Sequence, residues 1–392
     1  MSQQLINHSP DLKRLRDEGY EVEVLGGYLL IHQVPYLNDI GEVKRGTLVS
    51  DLVLINNTTV DKPKDHVIHF IGENPCNVGG TVISAIQYVS TTRALREGIT
   101  VNYSFSNKPQ GGYPNYYEKF KRYAEVISAP AKYLHPDLTE KTFKVIPSRN
   151  EESVFKYIDT NSSRANIDII NSKFKGQKVA IIGIGGTGAY VLDLVAKTPV
   201  QEVHIFDGDH FLQHNSFRSP GAASVEDLDE KWMKAKYFAD IYSKMHNGIT
   251  PHPYYVDGSN YHELDQMDYV FLCVDKNRVR KGIMDYLLHK GIPFIDVGLG
   301  VNVVDDKLIG TTRVTAGTPS KNDHLKDRVS EVDDENNEYS TNIQIADLNS
   351  LNASLAVIKW KKMCGFYQDL IEEHHSAYSI NVSKIFNEDR TA

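Results

Sequence analysis

The fold is decided by the stretch KVAIIGIGGTGAYVLDLVAKTPVQEVHIFDGDHFLQHNSFR, which spans residues 178–218. An apolar run, residues 179–182, leads into a glycine-rich turn and a helical segment, and a second apolar run ends at Asp207. Glycine lets phosphate oxygens approach the backbone of such a turn, and the N–H groups that begin the next helix favour an anion. We therefore predict a strand–turn–helix–strand unit that binds a nucleotide, with four glycines at the phosphates: Gly183, Gly185, Gly186 and Gly188.

Acidic and polar side chains follow the turn in an order that suits a bound nucleotide. Asp207 lies 24 residues after Gly183, where nucleotide-binding folds place the carboxylate that accepts ribose hydroxyls. Asp209 closes the same apolar run. Asn215 and Arg218 are three residues apart, so a helix would present both on one face.

A lysine and a further acid complete the pattern. Lys234 opens the predicted helix KAKYFA, and Asp275 ends the apolar run YVFLCVD, at the strand end where ligands of parallel sheets bind. An NAD enzyme needs only the glycine turn and one ribose acid, whereas Arg218 and Lys234 suit the phosphates of ATP and Asp275 suits Mg²⁺. The residues thus favour ATP with Mg²⁺, attacked at the α-phosphate with pyrophosphate leaving.

Length, net charge and cysteine content exclude several classes of protein. The 392 residues predict two or three domains, and the net charge of -8 argues against a broad nucleic-acid interface. Three cysteines without a CxxC pair exclude a four-cysteine structural zinc and favour a reducing compartment. The first residues lack the apolar core of a signal peptide, and no apolar run approaches the roughly 20 residues that cross a bilayer. We expect a cytoplasmic protein that binds neither membranes nor nucleic acid.

Two domains are predicted, with a polar linker near residues 147–163. Residues 1–150 mix helix and strand signals and are interpreted as an α+β module of unknown function. Residues 160–392 alternate apolar strands with helices, which indicates an α/β domain with a Rossmann-like, doubly wound, mostly parallel sheet. Within this domain, residues 317–340 are polar and aperiodic and are interpreted as a mobile crossover loop.

Apolar runs and helical periodicity locate the individual elements. In the N-terminal module they predict helices at 11–18 and 116–127, a hairpin of strands 20–25 and 28–34 around Gly26-Gly27, and a strand at 66–71. In the second domain they predict strands at 178–182, 203–206, 269–274 and 293–297, and helices at 189–197, 230–246, 278–290 and 343–363. Three aromatic residues share one face of the second N-terminal helix and are expected in the core: Tyr116, Phe120 and Tyr123.

The second domain resembles the ThiF-type adenylyltransferases, a family that includes the molybdopterin-synthase and thiamine-pathway activators and the ubiquitin-activating enzymes. The resemblance covers about residues 160–363 and rests on motifs with intact spacing. The family turn GxGGxG appears as GIGGTG, and the pattern DxDxxxxxNxxR appears as DGDHFLQHNSFR. The family's KA pair appears as Lys234-Ala235, and its strand-end aspartate appears as Asp275 with Arg280 five residues on.

In that family, ATP adenylates the C-terminal carboxylate of a small ubiquitin-like or sulfur-carrier-like protein. The resemblance implies the same reaction here, with Mg²⁺ at Asp275 and the nucleotide at five further residues: Asp207, Asp209, Asn215, Arg218 and Lys234. The same comparison implies catalytic roles for Arg218, Lys234 and Asp275. Arg164 matches an arginine that dimers of the family insert into the partner subunit's site, which implies a homodimer and a fourth catalytic residue.

The cysteine pattern departs from that of the ubiquitin-activating enzymes, which pass the acyl group to a cysteine in the crossover loop. Residues 296–344 contain no cysteine, Cys273 lies in a strand expected to be buried, and Cys364 follows the last predicted helix. Either the protein stops at the adenylate and hands it on, for example to a conjugating enzyme, or the acceptor is a loop hydroxyl such as Thr318 or Ser320.

Three other functions stay open on the sequence. They are an NAD(P)-linked oxidoreductase, a nucleotide-binding scaffold without turnover, and an enzyme that activates a small-molecule or RNA-borne carboxylate. The N-terminal module resembles extensions fused to ThiF-type domains beside bacterial ubiquitin-like genes, and this association gives bacterial antiviral defence as a setting.

Overall fold

A computed structural model of the chain describes residues 2–56, 59–146, 153–157, 159–165, 167–329 and 343–390. The chain divides into two compact units, one formed by Met1–Glu152 with Tyr157–Asn171 and the other by Ser153–Lys156 with Ser172–Ala392. The linker region thus contributes to both units. Among the described helices, none has the length and apolar character that crossing a membrane requires.

The N-terminal unit is rich in β-structure. Its described helices are α1 (Ser2–His8), α2 (Pro10–Asp17), α3 (Tyr116–Leu134), α4 (Thr160–Ala165) and α5 (Asp168–Asn171). Its described strands are β1 (Glu21–Leu25), β2 (Tyr28–Leu37), β3 (Val43–Asp51), β4 (Leu54–Asn56), β5 (Thr59–Val60), β6 (Val67–Ile71), β7 (Gln87–Val89), β8 (Arg93–Arg96), β9 (Ile99–Val101) and β10 (Tyr103–Ser106).

A six-stranded antiparallel sheet with the order β1-β2-β3-β6-β10-β7 forms the frame of this unit. The predicted hairpin is confirmed, because Leu25 pairs with Tyr28 across a turn in which Gly26 and Gly27 both have positive φ. Helix α3 places its aromatic face in the core, as predicted: Tyr116, Phe120 and Tyr123 are fully buried. These features confirm a separate N-terminal α+β domain.

A half-buried histidine makes this unit sensitive to acid. His69 on β6 lies with its Nδ1 2.8 Å from Ser104 Oγ on β10, and burial, together with the charge of Arg93, lowers the pKa of His69 to about 4. The unfolded chain protonates this imidazole near its ordinary pKa of 6.5, whereas the folded unit resists protonation. The stabilisation is therefore complete above pH 6.5 and is lost as the pH falls towards 4.

We expect His69→Gln to remove this acid sensitivity. The pKa of His69 differs by about 2.5 between the folded and unfolded chain, which corresponds to about 3 kcal/mol at most. Between pH 7 and pH 4, the unfolding free energy of the wild-type unit should therefore fall by about 3 kcal/mol more than that of the variant. Amide hydrogen exchange of the β6 backbone in the full chain measures the difference, with His66→Gln as control. Equal acid losses in all three proteins would contradict the assignment.

The second unit contains the glycine turn. Its described strands are β11 (Lys178–Ile182), β12 (Glu202–Phe206), β13 (Ile249–His252), β14 (Tyr269–Leu272), β15 (Phe294–Val304), β16 (Lys307–Gly317), β17 (Glu373–Ser379) and β18 (Lys384–Arg390). Its described helices are α6 (Gly186–Val195), α7 (Gln213–Ser216), α8 (Val225–Asp229), α9 (Lys234–Ser243), α10 (Asn277–Lys290), α11 (Leu325–Arg328) and α12 (Ala346–Met363).

One eight-stranded sheet with the order β13-β12-β11-β14-β15-β16-β17-β18 forms the centre of this unit. The pairs from β13 to β15 are parallel, and the pairs from β15 to β18 are antiparallel. The parallel half confirms the predicted Rossmann-like sheet. The sequence did not reveal the antiparallel half, because its strands carry many exposed polar residues and lack the continuous apolar character of buried strands.

Both faces of the sheet are covered by helices. Val179 and Ile181 of β11 lie in a core shared with α6, α9 and α12. Ala180 and Ile182, which alternate with them, lie in a second core shared with α10. Because β11 is buried on both sides, its sequence is a continuous apolar run. Helices on both faces of the sheet confirm a doubly wound architecture.

A short helix lies within the segment interpreted as a crossover loop. Helix α11 forms there because Leu325 and Val329, four residues apart, are both buried in the second core. Arg328 on the other side of this helix forms an ion pair with Asp389 of β18, with 2.7 Å between Nε and Oδ2. Residues 330–340, the rest of that segment, lie outside the described residues.

Candidate active site

The glycine turn between β11 and α6 leaves no room for side chains at three of its four glycines. Gly183 has a φ of +87°, and a Cβ there would lie 2.7 Å from the carbonyl oxygen of Cys273. A Cβ at Gly188 would lie 1.9 Å from the carbonyl oxygen of Gly183, and one at Gly186 would lie 2.0 Å from Nδ2 of Asn349. Glycine is therefore required here by the packing of the protein itself.

Gly185 is different, because a Cβ there would meet open space. It caps α6 with a φ of −80° and a ψ of −146°, so its φ is negative but its backbone lies outside the regular α and β regions. The packing of the described residues gives no reason for glycine at this position. A ligand that approaches the backbone of the turn does give a reason.

The glycines should therefore respond differently to alanine. Gly185→Ala is expected to lower the thermal unfolding temperature less than Gly188→Ala does and to weaken ATP binding about tenfold or more, because the methyl group meets no protein atom but occupies space that a phosphate needs. Gly188→Ala is expected to lower the unfolding temperature by several degrees, because its Cβ collides with backbone. Calorimetric titration and thermal melting measure the two effects. Unchanged ATP affinity in Gly185→Ala would show that no phosphate lies over this residue.

Asp207 ties the glycine turn to the end of β12. Its Oδ2 accepts the N–H of Ile184 at 2.8 Å, and its Oδ1 accepts the N–H of Asp209 at 2.9 Å. The carboxylate is buried, with 7% of the residue exposed. Burial raises the pKa of Asp207, and the charge of Lys234 acts against that rise. Each oxygen keeps a second lone pair, so Asp207 has acceptor capacity for a ribose hydroxyl.

Lys234 brings a buried positive charge between the two acids. It is the first residue of α9, its Nζ lies 2.7 Å from Asp209 Oδ2 and 3.8 Å from Asp207 Oδ1, and its side chain is 9% exposed. The Tyr255 hydroxyl donates to the other oxygen of Asp209. Burial would raise the pKa of Asp209, but the hydrogen bonds from Lys234 and Tyr255 outweigh it and lower that pKa.

Two buried donors on the far side of this cluster have no partner. Asn215 is held in α7 because its Oδ1 accepts the N–H of Leu212 at 2.8 Å, which leaves its Nδ2 unpaired and buried. Arg218 lies beyond the end of α7, so the expected helix does not include it, and its Nε is likewise buried without an acceptor. Unpaired buried donors each cost about 1–3 kcal/mol. A folded chain that keeps two of them three residues apart is suited to a ligand rich in acceptor oxygens, such as a phosphate.

A cleft of about 720 Å³ is lined by some of these groups, but the glycine turn, Asp207 and Asp275 are not among its lining residues. Its volume is typical of a site for a small-molecule ligand. The described residues that line it include four of the predicted site residues, Asp209, Asn215, Arg218 and Lys234, together with His210, Leu212, Gln213, His214, Leu228, Asp229 and Lys231.

Asp275 lies at the carboxyl end of β14, exposed and two residues before α10 begins. Its charge acts on Tyr255, whose pKa is raised to about 12, mainly by the hydrogen bond to Asp209. Asp275 therefore lies within electrostatic range of the Asp209–Tyr255 pair. Arg280, the family arginine of α10, is buried and pairs instead with Asp296, with 2.9 Å between Nε and Oδ1.

The acids present fit a magnesium ion that is bound mainly through phosphates. No group of three or more His, Cys, Asp or Glu side chains in the described ranges could hold a metal ion alone. Mg²⁺ usually keeps several waters and takes one or two carboxylates plus phosphate oxygens, so a single exposed acid such as Asp275 is sufficient on the protein side.

Arg164 is placed differently from the other predicted residues. It belongs to α4, which is part of the N-terminal unit. Its side chain lies outside the described residues. A role for Arg164 in a partner's site therefore stays a prediction.

Sequence analysis missed two residues of the site. Tyr255 packs its ring where a Cβ of Gly208 would lie, and its hydroxyl binds Asp209. Asn349 of α12 contacts both the glycine turn and the backbone of Arg218. An exposed tyrosine in a loop and an asparagine in a helix have no distinctive spacing, and only the tertiary fold brings them to the site.

A doubly wound sheet with a glycine turn at the carboxyl ends of its strands defines the class of α/β nucleotide-binding domains. The model of the ThiF family matches residues 166–357, and a model described as a domain of unknown function, DUF6791, matches residues 10–160. Residues 166–357 therefore form a domain of the ThiF family. This assignment supports an ATP-dependent adenylyltransferase.

Several solved structures are similar to the chain. MccB of E. coli with ATP is 19% identical, with a TM-score of 0.46, over 59% of this chain and 70% of that one. PaaA is 17% identical, with a TM-score of 0.45, over 57% and 75%. The microcin C7 biosynthetic enzyme MccB in complex with N-formylated MccA is 17% identical, with a TM-score of 0.46, over 72% and 80%. No curated protein matches the chain.

Proposed function

We propose that the protein activates the C-terminal carboxylate of a ubiquitin-like carrier protein as an acyl-adenylate, with ATP as the second substrate and pyrophosphate as the other product. The observation that carries the proposal is the pair of unpaired buried donors, Asn215 Nδ2 and Arg218 Nε, beside a cleft that also contains Lys234. These three donor groups suit the triphosphate of ATP better than the diphosphate linkage of NAD(P), which carries less charge.

The reaction needs no proton transfer at the reacting atoms. A carboxylate oxygen of the carrier attacks the α-phosphorus, the new O–P bond forms, and the bond to the bridging oxygen breaks so that its electron pair leaves on pyrophosphate. Arg218 and Lys234 offset the charge that develops on the leaving group, and Asn215 donates to a phosphate oxygen. Mg²⁺ held at Asp275, when bound, supplies further charge to the phosphates.

The ion pairs of Lys234 with Asp207 and Asp209 also contribute to the proposed mechanism. In the described structure its charge is shared by Asp207 and Asp209. Asp207 would accept a ribose hydroxyl and Asp209 would keep Lys234 extended towards the cleft. The lysine is then already desolvated and oriented before ATP arrives, so little reorganisation is needed during the reaction.

The cysteines of the chain do not suit a thioester step. Cys76 is 1% exposed, and burial raises the pKa of Cys76, Cys273 and Cys364. A raised thiol pKa lowers the fraction of the nucleophilic thiolate. We therefore propose that the adenylate is handed to an external acceptor, such as a conjugating enzyme. A hydroxyl of the 318–320 segment is the alternative, since the hydroxyls of Thr318 and Ser320 lie 3.2 Å apart.

Carrier-dependent exchange of labelled pyrophosphate into ATP tests the proposed reaction. Carriers that end in diglycine should support exchange, and the same carriers truncated by those two residues should not. If none of the tested carriers supports exchange, and NAD rather than ATP raises the unfolding temperature, the proposal is overturned in favour of an oxidoreductase. ATP binding without any exchange would favour a scaffold.

The remaining parts of the proposal rest on the sequence. The family resemblance supports a homodimer in which Arg164 enters the partner subunit's site, the cysteine content supports a cytoplasmic location, and the resemblance of the N-terminal module supports a role in bacterial antiviral defence.

A further inference from the structure

Asn349 is a fully buried amide at the start of α12, with 0% of the residue exposed. Its Oδ1 accepts a hydrogen bond from Thr187 Oγ1 at 3.1 Å, and its Nδ2 donates to the carbonyl oxygen of Arg218 at 3.2 Å. Gly186 makes room for this amide, because a Cβ at Gly186 would lie 2.0 Å from Nδ2. The side chain therefore contacts the first turn of α6 and the segment that carries Arg218 at the same time.

Both segments belong to the proposed phosphate site. Thr187 and Gly186 lie in the first turn of α6, where free N–H groups favour an anion, and Arg218 carries an unpaired donor. They are 31 residues apart in sequence, and Asn349 comes from a third, distant segment. One amide thus links the N-terminus of α6 to the backbone of Arg218, the residue whose guanidinium is proposed to bind the phosphate chain.

Arg218 needs such a connection because its own segment is short. Helix α7 has four residues, and a single helical turn has little stability by itself. Phe217, the neighbour of Arg218, is 76% exposed and adds little packing. The local contacts of the segment are the N–H of Arg218 to Asn215 O at 3.1 Å and Ser219 Oγ to the same oxygen at 2.7 Å.

We propose that Asn349 is a positioning residue, which sets the place of Arg218 relative to the glycine turn and thereby the affinity for the triphosphate. The inference rests on the proposed ATP-dependent function. Asn349 does not touch the carrier in this account, so its effect falls on the nucleotide and on pyrophosphate, which share the phosphate site.

Asn352 provides a matched control one turn later in α12. It is also 0% exposed, and its Nδ2 donates to a backbone carbonyl, that of Gly298 in β15, at 3.0 Å. Asn349→Leu and Asn352→Leu therefore remove a similar buried amide of the same helix. Only the first variant removes the connection between the glycine turn and Arg218.

The two variants should lose similar stability and differ in nucleotide binding. For Asn349→Leu, in exchange assays with a diglycine-ending carrier, we expect KM for ATP and for pyrophosphate to rise about tenfold, as one lost hydrogen bond predicts, and KM for the carrier to stay unchanged. Asn352→Leu should keep all three constants. Asn349→Asp, which keeps the acceptor for Thr187 and loses the donor to Arg218, should reproduce the loss if the leucine variant does not fold.

Equal constants in the Asn349 and Asn352 variants would overturn the inference, because the amide would then be only structural. A rise of KM for the carrier as large as that for ATP would overturn it as well. A wild-type protein that binds no Mg²⁺-ATP in calorimetric titration would overturn the proposed function itself, and this inference with it. The titration and the variants thus distinguish the two failures.

Discussion

Replacing Asp275 by asparagine is expected to lower carrier-dependent ATP–pyrophosphate exchange about 1000-fold while the protein stays folded. The expected loss corresponds to about 4 kcal/mol of transition-state stabilisation, a magnitude within reach of a metal ion at a developing phosphate charge. The amide keeps the size of the side chain but not the charge that attracts Mg²⁺. Asp275 is exposed at the end of β14, so its replacement leaves both cores intact.

Asp268 is the natural control for this variant. It lies just before β14, at the opposite end of the strand, where its Oδ2 accepts the N–H of Lys178 at 2.7 Å. Asp268→Asn also removes one negative charge beside β14, but at the end of the strand away from the proposed phosphate site. We expect this variant to keep the exchange rate of the wild type. Undiminished exchange in Asp275→Asn would contradict the magnesium assignment, and equal losses in both variants would attribute the effect to the fold.

Replacing Arg218 by alanine is expected to lower kcat/KM for ATP about 100-fold without lowering the unfolding temperature. The guanidinium Nε is buried without a partner, so the folded protein loses no hydrogen bond there. Removing an unsatisfied buried donor can even stabilise a fold, because its desolvation cost disappears. The side chain is thus proposed to serve the ligand at the expense of stability.

Arg280 gives the opposite expectation. It is buried with its Nε 2.9 Å from Asp296 Oδ1 and donates through Nη2 to the carbonyl oxygen of Val274 at 2.5 Å. Arg280→Ala leaves the fully buried Asp296 with less compensation, and we expect a loss of about 3 kcal/mol or more in unfolding free energy. Chemical denaturation and exchange kinetics of both variants measure this contrast. A large stability loss in Arg218→Ala would show that the arginine has a structural partner.

Strands β11, β12 and β14 and the start of β15 could be predicted from the sequence, whereas the parallel edge strand β13 and the antiparallel strands could not. Strands β11, β12 and β14 lie inside the sheet, so their sequences are almost continuously apolar. Strand β18 is almost wholly exposed at the sheet edge, and its sequence KIFNEDR has neither an apolar run nor regular alternation. Its position follows from pairing with β17, a tertiary contact that leaves no local pattern.

The candidate site shows the same limit. The glycine turn, Asp207, Asn215 and Arg218 lie within 36 residues of one another, and their spacing is visible in the sequence. The contact between Thr187 and Asn349 spans 162 residues, and no periodicity predicts it. The residues proposed to bind the ligand directly follow a motif here, whereas those that hold the motif together are found only in the fold.

The central claim is that the cleft beside the glycine turn binds the triphosphate of ATP. A crystal structure with Mg²⁺ and a non-hydrolysable ATP analogue tests it most directly. The account predicts phosphate oxygens within hydrogen-bond distance of both Asn215 Nδ2 and Arg218 Nε, the two donors that now lack partners. A nucleotide bound elsewhere, or one that leaves both donors unpaired, would contradict it.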